Sequence, residues 1–212
     1  MVTTMNVKGG AGDATLKFEI RFGENAIPQH FTSLPRSILL DIMRTSSVEK
    51  LYISNTTRNA NDQARAMLHN IEDTGVQKQL LLYKTPGQMV INHYVRERNA
   101  INRAEKMGID TGLRDQWSRQ QHLINVMQTK IVALGPKNVS NHCGNYLALN
   151  VFDVAPNSLY PQNSSSFVDA ALHHPAVHCF LYPPKCPGEK AYHFEIIQGQ
   201  DAVVGGAASS TA

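Results

Sequence analysis

Two histidines and an aspartate in the C-terminal half of the chain are of the residue types that a catalytic metal site needs. His142 lies two positions after Ser140, Asp153 closes an apolar run, and His193 stands between two aromatic residues. Two imidazoles and a carboxylate can occupy three sides of a tetrahedral zinc site and leave the fourth for water. Taken singly, a buried His is usually a hydrogen-bonded core side chain and an Asp at a strand end usually caps a turn. The spacing alone leaves both interpretations open.

Three short motifs, which include these residues, follow one another along the chain. Leu51–Arg58 (LYISNTTR) is followed by Gln63, Ser140–His142 (SNH) is followed by Asp153, and Tyr192–Glu195 (YHFE) comes last. Their order resembles that of the zinc-dependent D-Ala-D-Ala carboxypeptidase and dipeptidase family. That family includes phage L-Ala-D-Glu endolysins and shares its fold with hedgehog signalling domains. The resemblance covers about residues 51–197.

The resemblance implies a zinc ion bound by His142, Asp153 and His193. It also implies that Ser140 supports the site and that Arg58 holds a carboxylate or carbonyl of a peptide substrate. A planar guanidinium can give a carboxylate two parallel charge-assisted hydrogen bonds, which suits that role. The sequence is equally compatible with Arg58 as a plain surface residue. The substrate class implied by the resemblance is the stem peptide of bacterial peptidoglycan.

The general base is the position at which the chain departs most from the family pattern. The family has Glu or Asp three residues before the last His, where this chain has Lys190, and Glu189 lies one residue earlier. In a strand, a shift of one residue turns a side chain to the other face. Glu189 can therefore act as the base only if the turn before it bends the chain. Glu195 is the second candidate, because in a regular strand it shares a face with His193.

The spacing of the first two ligands also differs from the family pattern. Asp153 follows His142 by eleven residues, whereas the family has seven, so the segment 144–150 must contain a longer loop or a bulge. If Asp153 is not a ligand, Cys143 and His178 are the next candidates. A buried thiol is the simpler interpretation of Cys143.

The elements that must position these residues follow from hydrophobic periodicity. Alternation predicts strands at 16–22, 51–54, 147–154, 177–182 and 191–197, and helical spacing predicts helices at 36–44, 61–72, 88–107, 114–134 and 167–173. We expect the first strand at a sheet edge and Trp117 in the core. The fold class is predicted as α+β, with a helical layer packed on a mainly antiparallel sheet, DD-peptidase/hedgehog-like. One domain is expected over residues 1–204, with a flexible tail at 205–212.

Composition excludes several classes of protein. The chain has 212 residues, 42% of them hydrophobic and 17% charged, which excludes disordered, collagen-like and coiled-coil chains. A net charge of +3 on scattered Lys and Arg argues against a nucleic-acid partner. We identify neither a transmembrane segment nor a signal peptide. The expected route is synthesis in the cytoplasm and action at the bacterial cell wall or periplasm after delivery by a holin, an injection system or a phage particle.

The sequence thus predicts a zinc metallopeptidase, a carboxypeptidase or endopeptidase of peptidoglycan, acting as a lytic endolysin or an injected toxin. An immunity or delivery protein is a further expected partner. Two alternatives stay open. A noncatalytic, zinc-stabilised binding module on the same fold is favoured by Lys190, and a virion or structural protein would contain neither metal nor activity.

Overall fold

The computed structural model describes residues 2–7 and 16–199, with side chains from residue 18 onward. The chain forms two compact units. The first comprises the described parts of Met1–Thr57, Asn145–Lys185 and Glu189–Ala212, and the second comprises Arg58–Gly144 and Cys186–Gly188. The α+β class is confirmed. A single domain over residues 1–204 stays a prediction, and the predicted tail at 205–212 lies outside the described residues.

The first unit contains a six-stranded sheet with the strand order β1-β2-β3-β4-β6-β5. The strands are β1 (Val2–Val7), β2 (Leu16–Phe22), β3 (Lys50–Asn55), β4 (Leu149–Val154), β5 (Cys179–Leu181) and β6 (Tyr192–Ile197). β2 and β3 pair in parallel, and the other neighbours pair antiparallel. The sheet is therefore mixed, which corrects the expected mainly antiparallel sheet. The cause is α1 (Ser33–Thr45), since a helical crossover between two neighbouring strands returns the chain in the parallel direction.

β2 has the bounds that the sequence predicts, but it is not an edge strand. β1 pairs along its full length, from Val2 opposite Arg21 to Val7 opposite Leu16. Hydrophobic periodicity did not predict β1, which is why β2 was expected at the edge. The other predicted strands are found within two residues of their predicted ends.

The two faces of the sheet have different compositions. Phe152, Val154, Phe194 and Ile196 point to the core of the first unit, where α1 and α7 (Ser164–His173) also bury residues. The rings of Phe152 and Phe194 stack at 5.0 Å. Because successive strand residues alternate in direction, the polar residues between them lie on the opposite face. This alternation is what places the candidate ligands of β4 and β6 on one surface.

The second unit is helical and has its own core. It consists of α2 (Ala60–Thr74), α3 (Val76–Leu82), α4 (Thr85–Lys106), α5 (Gln116–Leu134) and α6 (Pro136–Val139). Side-chain caps begin two of these helices: for α2, the Asn59 side chain accepts a hydrogen bond from the Asp62 N–H at 2.9 Å, and for α5, Asp115 and Ser118 form a capping box. The hydrophobic core of this second unit includes Met67, Leu68, Ile91, Ile124 and Met127.

Two expectations about this unit need correction. Trp117 is 70% exposed rather than part of the core, because the buried positions of α5 begin only at Leu123. The sequence analysis also missed α3, whose seven residues are too few to establish a helical period. None of the helices among the described residues is both long and apolar enough to cross a bilayer.

Candidate metal centre

Neighbouring strands bring Asp153 and His193 together. Asp153 on β4 lies directly opposite His193 on β6 in the antiparallel register. Directly opposite residues on one face of an antiparallel pair are close enough for their side chains to interact. The Nδ1 atom of His193 lies 3.0 Å from Oδ1 of Asp153, and both residues are buried.

Glu195 lies on the other side of the same imidazole. Its Oε1 is 3.2 Å from Nε2 of His193, as expected for two residues that share one face of β6. Burial alone would lower the pKa of His193. Hydrogen bonds to Asp153 and Glu195 and the charges of Asp153 and Glu189 outweigh it and raise the pKa to about 10. In the metal-free protein, a charged ring therefore donates to both carboxylates.

Glu189 follows a turn that bends the chain before β6. The preceding residue, Gly188, has φ +90°, and β6 begins only at Tyr192, so Glu189 precedes the strand and its alternation does not apply. Its Oε1 accepts hydrogen bonds from the N–H groups of Lys190 at 2.9 Å and Ala191 at 3.1 Å.

The environment of the Glu189 carboxyl raises its pKa. Burial is the largest cause, and the negative charge of Asp153 adds to it. The two backbone N–H groups and the charge of His193 act in the opposite direction without cancelling the rise. A buried carboxyl with a raised pKa, influenced by both Asp153 and His193, has the properties of a candidate general acid or base.

Gln79 on α3 holds the turn that precedes Glu189. This fully buried side chain donates from Nε2 to the carbonyl of Gly188 at 3.2 Å and to Oγ1 of Thr74 at 2.9 Å. A Cβ atom on Gly188 would lie 3.0 Å from the carbonyl oxygen of Lys78. The sequence analysis missed this contact, and no pattern could have revealed it, because Gln79 and Gly188 are 109 residues apart.

His142 and Arg58 lie beside each other in the second unit. His142 is buried in a short 3-10 turn, Asn141–Cys143, that follows α6, and its carbonyl accepts the Arg58 N–H at 2.8 Å. Nη1 of Arg58 contacts Oε1 of Gln63 at 3.4 Å, and Gln63 in turn donates to the hydroxyl of Tyr83 at 3.0 Å. Tyr83 is a member of this cluster that the sequence analysis did not name.

Ser140, the predicted supporting residue, directly precedes the His142 turn. It is half-buried, and its carbonyl accepts the N–H of Cys143 at 3.0 Å, which closes the turn. The longer loop that the eleven-residue spacing requires is also present. Asn145 organises it by accepting hydrogen bonds from Ala148 and Leu149 through its carbonyl and from Leu147 through its side chain.

The three predicted ligands come together. One ligand atom each from His142, Asp153 and His193 lies within 4.8 Å of the others, and all three residues are buried. Two imidazole nitrogens and one carboxylate oxygen form a donor set that zinc prefers. Glu195 on the far nitrogen of His193 adds a feature of such sites, since a metal-binding His usually donates its other N–H to a carboxylate. The residues present therefore fit a metal ion.

The alternative ligands do not join this group. Burial raises the pKa of the Cys143 thiol to about 11, and its Sγ lies 4.0 Å from the carbonyl of Asn59, as expected for a half-buried neutral thiol. His178 is exposed, and its backbone N–H donates to the carbonyl of Glu195 at 3.0 Å. All three cysteines of the chain are free thiols.

Comparison with known proteins adds no relative: the chain matches no family model, no curated protein and no solved structure.

Proposed function

We propose that this protein is a zinc-dependent peptidase that cleaves stem peptides of bacterial peptidoglycan. The buried group of His142, Asp153 and His193 carries the proposal, because three N and O donors within 4.8 Å leave one tetrahedral position for the reacting groups. The resemblance of the motif order over about residues 51–197 to the zinc D-Ala-D-Ala carboxypeptidase family, with its DD-peptidase/hedgehog-like fold, supports the reaction and substrate class.

In this proposal Glu189 is the general base. Bound zinc would supply a Lewis acid that acidifies water and polarises the scissile carbonyl. Glu189 accepts the proton of the attacking water and then delivers it to the departing amine. Its raised pKa suits both tasks, since the carboxylate must gain the proton and the carboxylic acid must release it.

Arg58 orients the substrate in this proposal. Its backbone bond to His142 and its contact with Gln63 place the residue at the turn that carries a ligand. A guanidinium there can hold a carboxylate or a carbonyl of the peptide through directed hydrogen bonds. Such an anchor favours substrates with an acidic side chain or a free C-terminus near the scissile bond.

The proposed biological setting is lysis or intoxication of a bacterial cell. A peptidoglycan hydrolase made in the cytoplasm reaches its substrate only after delivery, which is why a lytic endolysin or an injected toxin is proposed. An immunity protein or a delivery partner belongs to the same proposal. A nucleic-acid partner is not proposed, since the net charge of +3 is small and the Lys and Arg residues are scattered along the sequence.

The first test is metal content after substitution of each ligand. We expect about one tightly bound zinc per chain and its loss in H142A, D153A and H193A, while the C143A and H178A controls keep it. Retention of zinc by D153A would mean that the third ligand is a different residue. Retention by H193A would end the peptidase proposal.

The second test is digestion of purified peptidoglycan, with mass spectrometry of the released fragments. Loss of a terminal D-Ala identifies a carboxypeptidase, whereas internal cleavage identifies an endopeptidase. Zinc binding without digestion would instead establish the noncatalytic, zinc-stabilised module. A protein with neither zinc nor a chelator-sensitive melting temperature would be the structural or virion protein.

A further inference from the structure

Tyr83 lies in the cluster that contains Arg58, and three separate contacts fix its position. It directly follows α3, and its carbonyl accepts a hydrogen bond from Nε2 of Gln88 at 2.9 Å. Its ring lies against Gly87, where a Cβ atom would be 2.5 Å from Cδ1 of the ring. Its hydroxyl accepts a hydrogen bond from Nε2 of Gln63 at 3.0 Å. Backbone, ring and hydroxyl are thus each held by a different residue.

The amide of Gln63 sets the direction of the Tyr83 hydroxyl. Gln63 is fully buried on α2, so both ends of its amide need partners within the protein. A guanidinium has donors only, so Arg58 can bond only to Oε1 of Gln63, which lies 3.4 Å from Nη1. The amide nitrogen then faces Tyr83, and the hydroxyl oxygen must accept. The phenolic proton therefore points away from Gln63.

This amide holds two hydrogen-bond donors in one place. Nη1 of Arg58 and the hydroxyl of Tyr83 are each one hydrogen bond from the Gln63 side chain, and both residues are half-buried rather than enclosed. The backbone N–H of Arg58 donates to the carbonyl of His142 at 2.8 Å, so the pair adjoins a candidate metal ligand. A carboxylate has about four acceptor positions on its two oxygens and can take hydrogen bonds from both donors.

Tyr94 shows a different use of a tyrosine in the same helical unit. It is 3% exposed, and its hydroxyl accepts from Nη1 of Arg98 at 3.3 Å, with both residues on α4. Its hydroxyl and its arginine are therefore joined directly within one helix. Tyr83 is more exposed, and its link to an arginine runs through a buried amide that orients both groups.

We infer that Tyr83 is a substrate-binding residue whose hydroxyl donates to the same carboxylate that Arg58 holds. This inference rests on the proposed peptidase and extends its substrate-binding group to a residue that the motif order does not contain. The ligand chemistry is a peptide carboxylate, which either a C-terminus or an acidic side chain can supply. Because Gln63 and Gly87 hold the donors before the ligand arrives, little side-chain ordering accompanies binding.

The test is an NMR titration of the full-length protein with three small probes. Acetyl-D-alanine carries a C-terminal carboxylate, the α-amide of acetyl-D-glutamate carries only a side-chain carboxylate, and acetyl-D-alanine amide carries neither. We expect at least one carboxylate probe to bind more tightly than the amide, and its identity distinguishes the two sources. Y83F should weaken that binding by about 10- to 100-fold, because it removes one hydrogen bond to a charged acceptor. Y94F is the matched control and should bind the probes as the wild type does.

A second variant tests the position of the ring while keeping the hydroxyl. Gly87→Ala places a Cβ where the Tyr83 ring lies, although Ala itself is favoured over Gly in a helix. It should weaken binding of the same carboxylate probe and leave binding of acetyl-D-alanine amide unchanged. Melting temperature and zinc content, measured on each variant, separate loss of binding from loss of folding.

Two results overturn the inference. One is a wild type that binds neither carboxylate more tightly than the amide, and the other is carboxylate binding that Y83F and G87A leave unchanged. Hydrolysis is not the readout of the titration. A protein that binds the carboxylate through Tyr83 but contains no zinc, or does not digest peptidoglycan, would count against the proposed peptidase and leave the role of Tyr83 in binding established.

Discussion

His193 is held between Asp153 and Glu195, and this contact determines how the candidate centre responds to pH. Because its pKa is raised to about 10, the ring is charged at neutral pH in the metal-free protein. The charged ring therefore stabilises the metal-free fold fully below the ordinary value of 6.5. That contribution decreases as the pH rises from there toward about 10.

The first prediction is that zinc displaces this proton. Zinc would need a free nitrogen electron pair of His193, so affinity should increase with pH between about 6.5 and 10 while the stability of the metal-free protein falls. Calorimetry in buffers of different ionisation enthalpy should give about one released proton per zinc near neutral pH. Proton release that is absent at neutral pH would contradict the charged state assigned to His193.

The second prediction separates the two glutamates of the site. Glu189→Gln should lower peptidoglycan hydrolysis by about 10² to 10⁴ while zinc is retained, because only the proton acceptor is lost. Glu195→Gln should instead weaken zinc binding by about 10- to 100-fold, because Glu195 orients His193. Measured zinc affinity and steady-state rates distinguish them, and exchanged outcomes would make Glu195 the base.

At the residue scale, residue type and motif order predicted which three side chains lie together. His142, Asp153 and His193 were expected at one site, and the structure brings them together in a buried group that could hold a metal ion. The contacts of Gln79 and Tyr83 could not be predicted, since a buried Gln or Tyr has many uses and its partner is distant in sequence. The expectation that Trp117 lies in the core was wrong, because periodicity shows which face of a helix is apolar but not how much of the helix is covered by neighbouring elements.

At the scale of elements, alternation in β4 and β6 predicted which side chains share a face. It could not predict which strands are neighbours, so neither the inner position of β2 nor its parallel pairing with β3 was expected. Strand order depends on long-range packing, and local pattern carries little information about it. The turn at Gly188 is the exception, because the sequence indicated where a bend was required.

The third prediction concerns that turn. Gly188→Ala adds a Cβ at φ +90° that would lie 3.0 Å from the Lys78 carbonyl, so it should shift Glu189 and reduce hydrolysis by about tenfold or more. Gly75→Ala is the matched control, since Gly75 has φ +89° but open space around its Cβ position. We expect it to cost about 1–2 kcal/mol of stability and to leave the rate constant unchanged. Equal loss of rate in both variants would show that Gly188 has no specific role in positioning Glu189.

At the scale of the whole molecule, each of the two units has its own hydrophobic core. The effect of a substitution in either core should therefore be measurable as a change in the free energy of unfolding of the unit that contains it. Composition and periodicity predicted the α+β class, but they did not reveal this division, because both cores use the same apolar residue types.

The fourth prediction is a stability change on removal of metal. A chelator should lower the melting temperature of the wild type, because an ion bound only by the native state stabilises it by mass action. Removing metal from H193A should produce a much smaller shift, which calorimetric scanning can measure. A wild type that melts identically with and without chelator would contradict a structural contribution from metal at the His142 group.

The alternation of β4 and β6 has a consequence for how this protein can change. Phe152 and Phe194 maintain the core, while Asp153, His193 and Glu195 on the same strands face the candidate centre. Mutations at every second position can thus vary the candidate ligands without altering the packing beneath them. A library limited to these positions should contain many folded variants of diverse metal preference. The same separation would have allowed a lineage to gain, alter or lose its chemistry while keeping its architecture.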